Sequence, residues 1–215
     1  MKNEKELRIM ELDFPVHWRT VHLSSGEKKN VFYPKIIRMK DKAFQSLINE
    51  TIVQEVQQLI DQQVGNMPTT VEEMLGTFEI KNNQRAVLSL SLTNYTYHSH
   101  AAHGMTYIQS LTFDIQNRKI CRLKDLFKKG SNYVERLSTI IHEKIRRRNI
   151  PLINEFTTIQ PNQDFYLADK TIVIYFQLYD ITPYAFGFPM FPINVYDIQD
   201  IIEENGPIGR LATNS

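Results

Sequence analysis

The chain has 215 residues, 42% of them hydrophobic and 23% charged, with a formal net charge of +1. This is the profile of a folded globular protein of one large or two small domains, and the near-neutral charge excludes a global field that would draw it to nucleic acid or anionic lipid. Cys121 is the only cysteine, which excludes an intramolecular disulfide and a cysteine-based zinc site.

The first residues, MKNEKELRIMELDF, lack the apolar run of about 7–15 residues that a secretory signal carries. No run of about 18 apolar residues is present to span a bilayer. As given, the sequence predicts a cytoplasmic protein without a membrane span; removal of an export segment leaves the same text.

Leu7, Ile9, Leu12 and Phe14 predict a first strand, and Val16 to Leu23 a second with Val16, Trp18, Thr20 and His22 on one face. Ser24, Ser25 and Gly26 signal a turn. Val31 to Ile37 reads as a third strand that Pro34 places at an edge or bulge. Residues 41–64 predict the clearest helix. Phe44, Leu47, Ile48, Ile52, Val56, Leu59, Ile60 and Val64 fall on one 3.6-residue stripe, with Asp41 as N-cap and Gly65 as stop. The Gly65–Thr70 loop is the expected seam between an N-terminal region, 1–70, and an α+β region, 71–203, with 204–215 as a loose tail.

Phe78 and Ile80 start a strand expected to turn at Asn82–Asn83. Leu88, Leu90 and Leu92 alternate with Ser89, Ser91 and Thr93, the pattern of a half-buried strand. Tyr107, Leu111, Phe113 and Ile115 repeat it after a turn that carries His98, His100 and His103. Two strands joined so closely pair antiparallel. Asn117–Arg118 marks another turn. A helix over about 131–149 follows, with Val134, Leu137, Ile140, Ile141 and Ile145 as its stripe and Ser131 as candidate cap. Arg146, Arg147 and Arg148 suit its C-terminal dipole. Phe165–Leu167 and Thr171–Leu178 read as strands, Tyr179–Pro192 as a loop and Val195–Ile202 as a short helix. The expected fold is α+β, an antiparallel sheet with two main helices packed on one face.

Three pieces, in this order, resemble a bacterial domain family. They are Tyr95-Thr-Tyr97 through Ala102-His103-Gly104; Ser110-Leu-Thr-Phe113-Asp114 through Leu123-Lys-Asp125-Leu126-Phe127; and Phe165-Tyr166-Leu167-Ala-Asp169 with Val173 to Phe176 and Tyr179-Asp-Ile181-Thr-Pro183-Tyr184-Ala185-Phe-Gly187. The family is the RsiV/PdaC-like one, known from the extracytoplasmic part of the lysozyme-sensing anti-sigma factor and from the non-catalytic region of peptidoglycan deacetylases. The resemblance covers roughly 75–203, and residues 1–70 resemble the companion domain that usually precedes it. His100 and Ala101 stand where the family has glycines, and the family's export signal or transmembrane helix is not seen. The resemblance implies an extracytoplasmic setting and a protein or glycan ligand of the cell envelope, such as lysozyme or peptidoglycan.

Read for chemistry, His98, His100 and His103 are the sharpest feature. Two strand residues two apart share a face, and a turn that returns His103 to them makes a three-nitrogen metal site. The alternative is a pair of strand-end histidines and a third bonded within the turn. Asp114 and Asp180 are acid–base candidates or local turn caps. Cys121 beside Arg122 is a nucleophile candidate or a small core residue. Lys144 and Arg146–Arg148 lack the interleaved aromatics of a nucleic-acid surface. Tyr179, Tyr184, Phe186, Phe188 and Phe191, on a loop with Pro183, Gly187 and Pro189, are either a binding lip or pins that hold the loop to the sheet. No phosphate loop, nucleophile elbow or HExxH motif is present. The expectation is a recognition module without a cofactor, with Tyr179, Tyr184, Phe186 and Phe188 as ligand contacts; the alternative is a small metal-dependent hydrolase centred on the three histidines.

Overall fold

The hairpin of β1 (His17–Ser24) and β2 (Lys29–Ile37) turns where Ser24–Gly26 signalled it. The computed structural model describes residues 14–213, so of the expected first strand only Phe14 is described, and Leu7, Ile9 and Leu12 lie outside. After β2 comes α1 (Lys42–Val64), which Asp41 caps by accepting from the Phe44 N–H at 3.0 Å and Gly65 ends at φ 52°. The helix crosses back to β3 (Val71–Gln84), which runs parallel to β2 over Lys29–Val31. A parallel pair requires such a crossover. At Gly76 the strands come so close that a Cβ would lie 2.5 Å from Val31 Cγ1. Beyond Val31 this side of β2 is open. Pro34 brings no N–H to it, and the Asn49 amide of α1 accepts from the Ile36 N–H at 2.7 Å and donates to the Ile36 carbonyl at 3.0 Å. The edge is thereby closed to further pairing.

Strands β4 (Val87–His98), β5 (Met105–Asp114) and β6 (Lys119–Ile120) continue antiparallel and complete a six-stranded sheet in the order β1-β2-β3-β4-β5-β6. The turn into β4 lies at Arg85–Ala86, with φ 51° and 54°, and not at Asn82–Asn83. Both asparagines are buried in β3 because their amides satisfy main chain. Asn83 accepts from the Val16 N–H and donates to the Val16 carbonyl, and Asn82 donates to the Val87 carbonyl at 2.7 Å. The left-handed pair that a tight hairpin needs then falls on the next two residues. Leu88, Leu90, Leu92, Leu111 and Phe113 share one buried cluster with Phe44, Ile48, Ile52 and Val56 of α1, as the two periodicities required.

A second cluster is built by α2 (Tyr133–Arg148), a three-stranded antiparallel sheet of β7 (Phe165–Ala168), β8 (Thr171–Tyr175) and β9 (Met190–Asn194), and α3 (Pro207–Ala212). The α+β class is the expected one, but the sheet is mixed, a second sheet exists, and the two long helices serve different cores. Ser131 does not cap α2: Asn132 is the N-cap, and Ser131 Oγ finds no hydrogen-bond partner. Phe191 is a fully buried residue of β9. Of Val195–Ile202 only Val195–Ile198 is helical, as a 3-10 turn. The expected loose tail contains α3, whose Ile208 and Leu211 are buried in the second core.

Serines join the two halves. Ser89 and Ser91 of β4 are buried although they face away from α1, so β4 is covered on both sides rather than half-buried. The free edge of β7 abuts this face. Ser89 Oγ accepts from the Leu167 N–H at 3.0 Å, and Ser110 Oγ donates to the Phe165 carbonyl. Small hydroxyls on a sheet face thus meet the main-chain groups that a further strand would have paired.

Candidate recognition site

Strand β4 delivers His98 to the mouth of the histidine turn, and there the ring is locked. Its Nε2–H donates to the Gln63 carbonyl at 2.8 Å, and Nδ1 lies 2.7 Å from the Thr70 hydroxyl. Gln63 itself is buried and donates to the carbonyls of Asn94 and Met105, so His98 and Gln63 together pin the end of α1 to the β4–β5 ribbon. His100 is exposed and left-handed, at φ 64°. A non-glycine residue thus adopts the backbone that glycine takes most readily. His103 turns away from both. Its Nδ1–H donates to the Gly104 carbonyl at 2.9 Å and its Nε2 accepts from the Tyr179 hydroxyl at 3.1 Å. The three imidazoles do not converge, and among the described residues no group of three His, Cys, Asp or Glu is placed to hold a metal. The hydrolase alternative therefore lacks its centre.

The partners of His103 come from the aromatic loop, about 80 residues later. The His103 ring stacks on Tyr184 with centroids 4.0 Å apart, and Tyr179 lies 5.6 Å from Tyr184. Tyr184 donates its hydroxyl to the Gly104 carbonyl at 2.9 Å, so two polar tips meet on one main-chain oxygen. A Cβ at Gly104 would overlap the Tyr95 ring, so a larger residue there would require that ring to move. Tyr179 remains 46% exposed. Of the four expected ligand contacts, Tyr179 and Tyr184 thus join His103 in one surface cluster. Phe186 packs against the second core and Phe188 is half-buried. Nothing in sequence spacing signalled that His103 belongs with the tyrosines.

The remaining candidates resolve into structural roles. Asp114 is buried and accepts from the Asn117 N–H and side-chain amide, as an Asx-turn residue does, and also from Arg210 at 2.6 Å. Asp180 accepts from the Gln177 N–H at 2.9 Å. Cys121 is buried, and burial, with Asp114 and Asp125 adding to it, pushes its thiol up to about 12. A thiolate nucleophile is not available there. Arg148, from the basic end of α2, donates to the Met190 carbonyl at 3.0 Å and lies over the Phe191 ring.

Two family models match the chain. Residues 28–106 match Deacetylase PdaC, and residues 124–196 match a protein family of unknown function, DUF3298. The chain thus carries a PdaC-type stretch followed by a DUF3298-type stretch. A DUF3298 family protein from Bacteroides fragilis has the same fold, with a TM-score of 0.67 at 16% identity over 94% of this chain and 99% of that one. Another from Pseudomonas aeruginosa gives 0.65 at 14% identity over 94% and 98%. No curated protein matches. The Gly65–Thr70 loop lies inside the first matched stretch. The histidine turn closes that stretch and Tyr179–Tyr184 lies in the second, so the aromatic cluster is one of the places where the two stretches touch.

Proposed function

We propose that this DUF3298/PdaC-type protein is a non-catalytic recognition module whose ligand is a protein or glycan of the bacterial cell envelope, met in an extracytoplasmic setting. The observation that carries the reading is the surface cluster of His103, Tyr179 and Tyr184. Its rings are preorganised by stacking and by the shared Gly104 carbonyl, which lowers the ordering cost of binding. Large amphipathic rings on a braced loop are the usual anchors of an interface, each contributing about 2 kcal/mol or more. The ligand class comes from family kinship, so lysozyme and soluble peptidoglycan fragments are the ligands to test. The deacetylase in the first model's name does not transfer with ease, since His98 has both ring nitrogens engaged and His103 faces the tyrosines.

The test is calorimetric titration of the wild type and of a His103→Ala, Tyr179→Ala double variant with each ligand. The variant is expected to keep its fold by circular dichroism and to lose binding by more than tenfold. Unchanged affinity in the variant removes the cluster from the contact surface. Failure of both ligands with the wild type removes the envelope-ligand reading.

A further inference from the structure

Between α1 and residues 162–165 lies a cleft of about 490 Å³, floored by β5 and bordered by β6. That volume is in the range of small-ligand sites. Apolar Leu47 and Leu111 contribute to its lining, as do the amides of Gln54, Gln109, Asn162 and Gln163. Two carboxylates also line it, Glu55 from α1 and Asp164 from the facing segment. Both are half-buried. Elsewhere in the chain Asp41, Asp114 and Asp125 all have a cation within 2.8 Å. Among the described residues neither Glu55 nor Asp164 is in an ion pair. The Glu55 carboxylate makes no hydrogen bond there, and the Asp164 carboxylate accepts one, from the Gln177 amide at 2.9 Å.

The local electrostatics are unbalanced. Burial raises Glu55, and the charge of Asp164 raises it further. Burial also raises Asp164, with Asp180 adding to the effect against the Gln177 hydrogen bond. Arg122 borders the cleft but is exposed. A recess that desolvates two carboxylates without a counter-charge is stabilised by whatever cation enters it. A bare metal ion fits poorly, because hard divalent cations ask for six or more oxygens at 2.0–2.6 Å, whereas this space is wide and partly apolar. A guanidinium or ammonium on an aliphatic stem fits both features. Its head meets carboxylates and amides, and its methylenes meet the leucines.

We propose that the cleft between α1 and residues 162–165 is a binding site for a basic side chain of a partner protein, an arginine or lysine held by Glu55 and Asp164. None of its lining residues belongs to the His103–Tyr184 cluster, so this site stands or falls independently of that one.

The probe is argininamide, titrated into the isotopically labelled protein and followed by amide chemical shifts. Saturable shifts are expected at Glu55, Gln109 and Asn162–Asp164. Glu55→Gln and Asp164→Asn should each weaken binding by about fivefold or more, as loss of a close charge pair does. Both are near-isosteric, and the amide oxygen that Asp164→Asn introduces can still accept from Gln177, so melting curves should show the variants folded. Citrullinamide, which keeps the shape and the α-amino group but replaces the guanidinium with an uncharged urea, should not bind. The proposal is overturned by an absence of saturable shifts or by shifts confined to another surface. Equal binding of citrullinamide overturns it, as does binding that both variants leave intact.

Discussion

Burial of Cys121 decides how it behaves toward reagents. With its thiol pushed up to about 12, almost no thiolate exists at neutral pH, and the sulfur is shielded besides. A maleimide reagent should leave Cys121 unmodified in the native protein at pH 7 and label it fully in denaturant, which intact-mass spectrometry reads directly. Asp114 shows the opposite logic, a buried charge kept because it is paired. Its partner Arg210 is 15% exposed and also donates to the Arg85 and Asn205 carbonyls. Arg210→Ala leaves Asp114 uncompensated and should cost about 3–5 kcal/mol, measured by urea denaturation. Asp114 was legible as a turn residue from its place before Asn117. Arg210 was not legible, since nothing in ENGPIGRLATNS marks one arginine for a partner 96 residues away.

At the scale of elements, period was a sound guide where one face is covered by one neighbour. The α1 stripe and the Leu88–Leu92 alternation found each other, and Leu90, fully buried, should lose about 2–5 kcal/mol on substitution by alanine. Denaturant midpoints test this, and a shift near zero contradicts the packing. Period misled where a second neighbour covers the other face. Ser89 and Ser91 read as solvent-facing, yet β7 lies against them. Ser89→Ala should cost about 1–3 kcal/mol, because the Leu167 N–H is left buried without an acceptor. A surface serine would cost almost nothing, so the same denaturation experiment separates the two readings. Asn82–Asn83 failed as a turn signal for a related reason: their amides found main-chain partners inside the sheet, and the turn moved to Arg85–Ala86.

At the scale of the whole molecule, the two halves meet at the serine seam, the aromatic cluster and the acidic cleft. The cleft makes a pH prediction. Glu55 and Asp164 have folded-state values raised above their ordinary ones. Between the ordinary and raised values the native state therefore binds more protons than the unfolded state. Their contribution to stability is fully present below the ordinary carboxylate range and is lost as pH rises through the raised values. A Glu55→Gln, Asp164→Asn double variant should thus be more stable than the wild type at pH 7. The advantage should shrink as pH falls into the carboxylate range, followed by thermal melts across pH. An advantage that persists unchanged at low pH would show that the two carboxylates are not the cause.

What the sequence determined by itself is what local chemistry determines: the α1 boundaries set by Asp41 and Gly65, the antiparallel β4–β5 ribbon, the α+β class and the kinship carried by motifs in order. Tertiary structure alone decided the rest. It split the core in two, folded α3 onto it, drew His103 away from His98 and His100, and set it against Tyr179 and Tyr184. The physical reason is range. Caps, turns and periodicity act over a few residues and leave a mark in the text. The choice among partners far apart along the chain depends on which surfaces the packed elements leave within reach, and a hydroxyl, imidazole or carboxylate carries no trace of that choice in its neighbours along the chain.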